Sequence, residues 1–114
     1  MDFRIELEDR PLGVRLLRVH GPIVRETLPA FEQGMLDALN GAPAAVLLDF
    51  SGVAYLSSSG VGLIMQGYAQ ALEDGARLIV FGAKPAEVAV MNLTGLASMV
   101  TLAATEQDAL DLLR

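Results

Sequence analysis

Three consecutive serines, Ser57-Ser58-Ser59, followed by Gly60-Val61-Gly62, stand after an apolar run and before a stretch with helical spacing. A helix start carries about half a positive charge and several N–H groups without intrahelical partners. A serine hydroxyl placed there has two uses. It caps one of those N–H groups, or it carries or binds a phosphate, whose charge the helix end tolerates. Capping accounts for one serine and leaves two unexplained.

Other residue types offer weaker chemistry. Asp49 ends an apolar run and suits a metal or catalytic carboxylate, but such a residue more often caps a loop, and that is the reading adopted. His20 with Ser58 would suggest a hydrolase, yet no glycine opens a Gly-x-Ser-x-Gly elbow. Gly60-Val61-Gly62 matches part of a dinucleotide-binding fingerprint, but Met65 stands where the third glycine belongs. The Gly-Lys-Ser/Thr of a phosphate loop is absent. No residue is assigned to catalysis or to a metal.

Composition narrows the classes further. The chain has 114 residues, 53% hydrophobic and 19% charged, with no Cys and a single His. That length suits one core-forming domain, residues 1–114, without disulfide staples. Thiolate zinc and iron–sulfur sites are excluded, and one His leaves little for a histidine cluster. The net charge is -6, and the seven arginines and Lys84 are scattered, which argues against nucleic acid as a partner. The stretch Val88 to Thr105 carries no charge but is broken by Asn92, Thr94 and Gly95, so a helix, turn and strand explain it better than membrane insertion.

The elements that position the serines follow from periodicity. Asp2 to Glu8 alternates apolar and polar residues, as a half-buried strand does. Asp9 to Gly13 connects it to a second strand, Val14 to His20, closed by Gly21-Pro22. Leu28, Phe31, Met35, Leu36 and Leu39 then mark one helix face, with Thr27 as cap, Pro29 in the first turn and Asn40-Gly41 as stop. Ala44 to Phe50 reads as a central buried strand, followed by a short loop to the serines. The second helix buries Val61, Ile64, Met65, Tyr68 and Leu72, and Asp74-Gly75 ends it. Arg77 to Phe81 is a buried strand. Pro85 opens a third helix with Val88, Met91 and Leu96 inward and Gly95 as its stop. Met99 to Ala103 is a last strand, and Thr105 caps a final helix burying Ala109, Leu110 and Leu113. The order β-β-α-β-α-β-α-β-α predicts an α/β domain, with a mixed sheet of four to five strands and about four helices.

With the serines placed, the chain resembles the STAS domain of bacterial anti-sigma factor antagonists. Leu56-Ser57-Ser58-Ser59-Gly60-Val61-Gly62-Leu63 is similar to that family's aspartate, serine, serine or threonine, glycine, leucine, glycine motif at a helix start. Val19-His20-Gly21, Asp74-Gly75-Ala76-Arg77-Leu78, Pro85 with Leu93-Thr94-Gly95-Leu96, and Glu106 to Leu110 resemble further family features in the same order. The resemblance implies a single cytoplasmic STAS domain that is not an enzyme and needs no cofactor. It implies partner switching with an anti-sigma factor serine kinase and a phosphatase. Phosphorylation would fall on Ser58, with Ser59 beside it, and the partner surface on Ser57, Ser58, Ser59, Gly60, Val61 and Gly62. Two departures stand out: Ser57 replaces the family's aspartate, and Pro22-Ile23 stand where acidic residues often follow the early glycine. The alternative is a STAS-type accessory subunit of a transport or lipid-trafficking system, or a non-phosphorylated protein-binding module. Oligomeric state is left open.

Overall fold

Alternating and continuous apolar segments assemble one five-stranded sheet in the order β1-β2-β3-β4-β5. The computed structural model describes residues 2–114. Strand β1 (Arg4–Arg10) pairs antiparallel with β2 (Val14–Ile23), while β3 (Ala45–Leu56), β4 (Arg77–Phe81) and β5 (Thr101–Ala103) continue the sheet in parallel. Helices α1 (Leu28–Leu39), α2 (Ser58–Glu73), α3 (Pro85–Thr94) and α4 (Glu106–Asp111) fill the connections and the C-terminus. The expected element order and mixed sheet are observed.

Strands β2, β3 and β4 divide their residues between two cores. Leu17 and Val19, Val46, Leu48 and Phe50, and Leu78 and Val80 face the larger core with Phe31, Met35, Ile64 and Met91 from the helices. Val14, Leu16, Ala45, Leu47, Ile79 and Phe81 face a smaller core closed by Ala109. Fully burying a large side chain of this kind contributes roughly 1.5–3 kcal/mol, so the larger core dominates stability.

Two strands run further than expected, for one reason. Between Arg18↔Asp49 and His20↔Gly52, and again between Gly21↔Val53 and Pro22↔Tyr55, β3 carries one residue more than β2. Each β-bulge shifts the alternation by one residue, so period two breaks after Phe50 and the segment reads as a loop. The bulges return Val53 and Leu56 to the core. They also accommodate Pro22, which cannot donate to a regular ladder. The hydrogen-bonding carboxylate at the first bulge is Asp49, inside β3 rather than at its end. Its Oδ1 accepts from Ser51 N–H at 2.9 Å and from Ser51 Oγ at 2.6 Å.

Smaller corrections concern helix faces and caps. Leu36 and Leu72 are 59% and 64% exposed, because the buried stripes are narrower than expected and use Gly34, Ala38, Gly67 and Ala71. Thr27 does not cap α1; its hydroxyl accepts from Val24 N–H at 3.0 Å and donates to the Pro22 carbonyl at 2.7 Å. The last strand is shorter than Met99 to Ala103, since Leu96–Ser98 forms a 3₁₀ turn. Gly95 (φ +86) ends α3, and Thr105 Oγ1 caps α4 by accepting from Asp108 N–H at 3.1 Å, both as expected.

Beside the smaller core lies an ion-pair network. Arg18 bonds Glu8 and buried Asp49, each at 2.7 Å, and Arg10 bonds Glu8 at 3.0 Å and Glu106 at 2.9 Å. Hydrogen bonds from Arg18, then Arg10, hold the Glu8 carboxyl below the ordinary glutamate range. The folded state therefore binds that proton less readily than the unfolded chain. The resulting stability is present above the ordinary glutamate pKa and is lost as pH falls through the folded value. We expect the melting temperature to fall more steeply on acidification in the wild type than in Glu8→Gln, as measured by circular dichroism across the acidic range. Parallel curves would show that Glu8 does not contribute.

Candidate functional site

The β2–β3 ribbon projects beyond the rest of the sheet. Pairing of β3 with β4 stops at Asp49↔Phe81, whereas pairing with β2 continues to Ile23↔Leu56. This leaves an open strand edge, a liability that proteins commonly cover with charge. Here the Lys84 ammonium donates to the carbonyls of Val53, Ser51 and Phe50 at 2.6, 3.3 and 3.4 Å and lies 3.5 Å from Glu87 Oε1.

At the tip of the ribbon the chain turns into α2. Ser57 N–H donates to the Ile23 carbonyl at 2.9 Å. Ser57 is extended (φ -82, ψ 163), and its Oγ accepts from Gly60 N–H at 3.1 Å. Val61 N–H then donates to the Ser57 carbonyl at 3.1 Å, which closes the first turn. Gly60 is required by packing, since a Cβ there would lie 2.5 Å from Ile23 Cγ2 and 3.0 Å from Leu56 Cδ1. The same crowding leaves no room for a ligand against the Gly60 backbone, so this glycine serves helix–strand contact rather than a dinucleotide.

The six serine-motif residues thus divide by position. Ser57 is the half-buried cap. Ser58 and Ser59 are exposed on the first turn. Gly60 and Val61 are buried beneath them, and Gly62 is half-buried with open space where a side chain would be. The capping reading claims Ser57 and leaves Ser58 and Ser59 free of it. His20 and Asp49 are engaged elsewhere: His20 Nε2 lies 2.8 Å from Glu6 Oε1, and Asp49 Oδ2 accepts from Arg18 at 2.7 Å. No hydrolase constellation assembles around Ser58 from them.

Sequence reasoning missed a groove of about 410 Å³ beside the serine turn. Ser59, Gly62, Leu63 and Gln66 of α2 line one wall, and Arg25, Leu28, Pro29 and Glu32 line the other. Its sequence signal was faint: a glycine at position 62 and a helix start at Arg25–Thr27 with one turn of 3₁₀ geometry.

Comparison with known proteins agrees with this geometry. The family described as "Mlab, STAS domain" matches residues 7–101. An anti-sigma factor antagonist from Mycobacterium paratuberculosis is 30% identical, with 97% of this chain and 93% of that chain covered and a TM-score of 0.89. An anti-sigma-factor antagonist (STAS) domain protein from Planctomyces limnophilus is 22% identical over 98% and 97% of the two chains, with a TM-score of 0.79. The Bacillus cell fate determinant SpoIIAA in its phosphorylated form is 23% identical over 97% and 100%, with a TM-score of 0.74. The latter two likenesses show the shared fold.

Three substitutions test the turn. Ser57→Ala removes the cap and should lower unfolding free energy by about 1 kcal/mol, while Ser57→Asp should retain it, because aspartate caps as well as serine. Gly60→Ala should cost about 1–3 kcal/mol through overpacking against Ile23 and Leu56. Urea unfolding measures all three; an unchanged midpoint in Gly60→Ala would refute the close approach.

Proposed function

The chain belongs to the STAS domain family, which includes anti-sigma factor antagonists, and we propose that it acts as such an antagonist, switched by phosphorylation at Ser58 or Ser59. The observation that carries this reading is the pair of exposed serines on the first turn of α2. The rest of that turn is already fixed by the Ser57 cap and the Gly60 contact. Whole-chain similarity to an anti-sigma factor antagonist at 30% identity supports it.

In this reading the unmodified chain binds an anti-sigma factor serine kinase in the cytoplasm through the serine turn and Gly62. The chain performs no chemistry itself; the kinase modifies it and a phosphatase restores it. A phosphate adds roughly -1.5 to -2 charges and strong acceptor oxygens. The positive end of α2 accommodates that charge, and the uncharged Ser57 cap leaves it unopposed by a neighbouring carboxylate. The backbone, held by Ile23, need not move. A tightly apposed partner instead loses hydrogen bonds and meets an uncompensated anion. The switch is therefore a change of surface charge on a constant fold. The accessory-subunit alternative uses the same surface without modification, and the two exposed serines beyond the cap favour the switch.

Incubation with the cognate anti-sigma factor kinase and ATP, followed by mass spectrometry, should place one phosphate on Ser58 or Ser59. Ser58→Glu should weaken kinase binding by at least about tenfold, or about 1.4 kcal/mol. Absence of phosphate together with equal binding by Ser58→Glu would overturn the switch and leave an unmodified binding module.

A further inference from the structure

We propose that the groove between α1 and α2 docks a basic amphipathic helix of a partner protein. This inference is independent of phosphorylation. The groove beside the serine turn continues along both helices into a second cavity of about 570 Å³, and the two share Glu32, Leu63 and Gln66. Met35 and Leu39 floor the second cavity and Leu36 stands on its rim. Gly67 lets Met35 pack against α2: the Met35 Cε methyl occupies the place where a Cβ would be. Leu36 is 59% exposed, an apolar side chain that neither core uses.

Charge identifies the occupant. Between Arg25 and Arg77 the chain contains no Lys or Arg, yet it contains Glu26, Glu32, Asp37, Asp49, Glu73 and Asp74. Asp49 is buried on the opposite face of the sheet with Arg18. The other five are exposed on the α1–α2 layer, and among the described residues none forms an ion pair. Asp37 and Asp74 each accept only from a glutamine amide one turn earlier, Gln33 at 2.9 Å and Gln70 at 3.1 Å. Elsewhere most carboxylates face a cation: Glu6, Glu8, Asp9, Glu87, Glu106 and Asp111 do so, and Asp2 and Asp108 are the exceptions. Of these five, Glu32 and Asp74 line the apolar groove itself, while Glu26, Asp37 and Glu73 add to the negative charge of the surrounding layer. Arg25 is the cation at its serine end, and Arg15, at the far end, is turned onto the α1 carbonyls of Asp37 and Ala38 at 3.1 Å.

An apolar trough rimmed by negative charge complements a helix with a leucine-like stripe flanked by Lys or Arg. The same rim repels nucleic acid and anionic lipid. It also repels a second copy presenting the same layer, so self-association through this face is disfavoured.

The test uses the whole chain and an amphipathic helical Leu/Lys peptide of about 18 residues, about 27 Å long, with a Leu/Glu peptide of identical apolar face as control. In an amide NMR titration, the Leu/Lys peptide should shift resonances of residues 32–42 and 62–74, with binding that weakens as salt rises. The Leu/Glu peptide should not bind. Leu36→Ser, and separately Glu32→Lys with Asp74→Lys, should each weaken binding by about tenfold or more; these side chains are exposed, so the variants should fold. Shifts centred elsewhere, equal binding of both peptides, or unchanged affinity in both variants would overturn the proposal. So would a concentration-dependent dimer, abolished by Leu36→Ser in sedimentation, because a second copy would then occupy the groove.

Discussion

The approach of α2 to the ribbon tip, where Ser57 N–H meets the Ile23 carbonyl at 2.9 Å and Gly60 packs against the Ile23 side chain, is the constraint on which the site depends. It fixes the helix start in register with the ends of β2 and β3. The two bulges of β3 make that meeting possible, because they keep Val53 and Leu56 in the core while the strand runs past the end of β4. Ser57 then has to be extended and half-buried, and Ser58 and Ser59 have to be exposed. A first turn held this firmly presents its side chains without an ordering cost of its own.

Electrostatic organisation follows the same division of the molecule. The smaller face carries the arginine network that binds Glu8, Asp49 and Glu106, and Lys84 is committed to the open edge of β3. The α1–α2 layer keeps its carboxylates unpaired, with Arg25 at its upper end. Much of the net charge of -6 is therefore concentrated beside the helices. A charge added on Ser58 falls at the boundary between the positive end of α2 and this negative layer.

Much of this was legible in the sequence because local signals agreed with the fold. Pro85, Gly95 and Thr105 marked helix ends by backbone chemistry that tertiary context did not override. Within Arg77 to Phe81, Leu78 to Phe81 form a continuous apolar run with no competing period. The failures share a different cause. Ser51 to Leu56 read as a loop because two bulges erase the alternation, and bulges are set by the partner strand. Leu36 and Leu72 read as core because small residues, Ala38 and Ala71, take the buried positions where the elements pack closely. Asp49 does cap the local backbone, through Ser51 N–H, but within a strand rather than at a loop, and its second partner, Arg18, was hidden because it lies on another strand. At the site, the serine run gave the helix start correctly. The assignment of Ser57 to capping and Gly60 to packing required knowing where Ile23 sits, and the groove beside Ser59 required both helices at once.

The central claim is that phosphate changes the surface of α2 and not the fold beneath it. Amide NMR spectra of the chain with phosphoserine installed at position 58, compared with the unmodified chain, test this most directly. Shift changes should be confined to the first turns of α2 and the adjoining Ile23 to Leu28 segment, with hydrogen-exchange protection of β3 and β4 retained. Shifts spread across the sheet, or lost protection in β3, would contradict the claim.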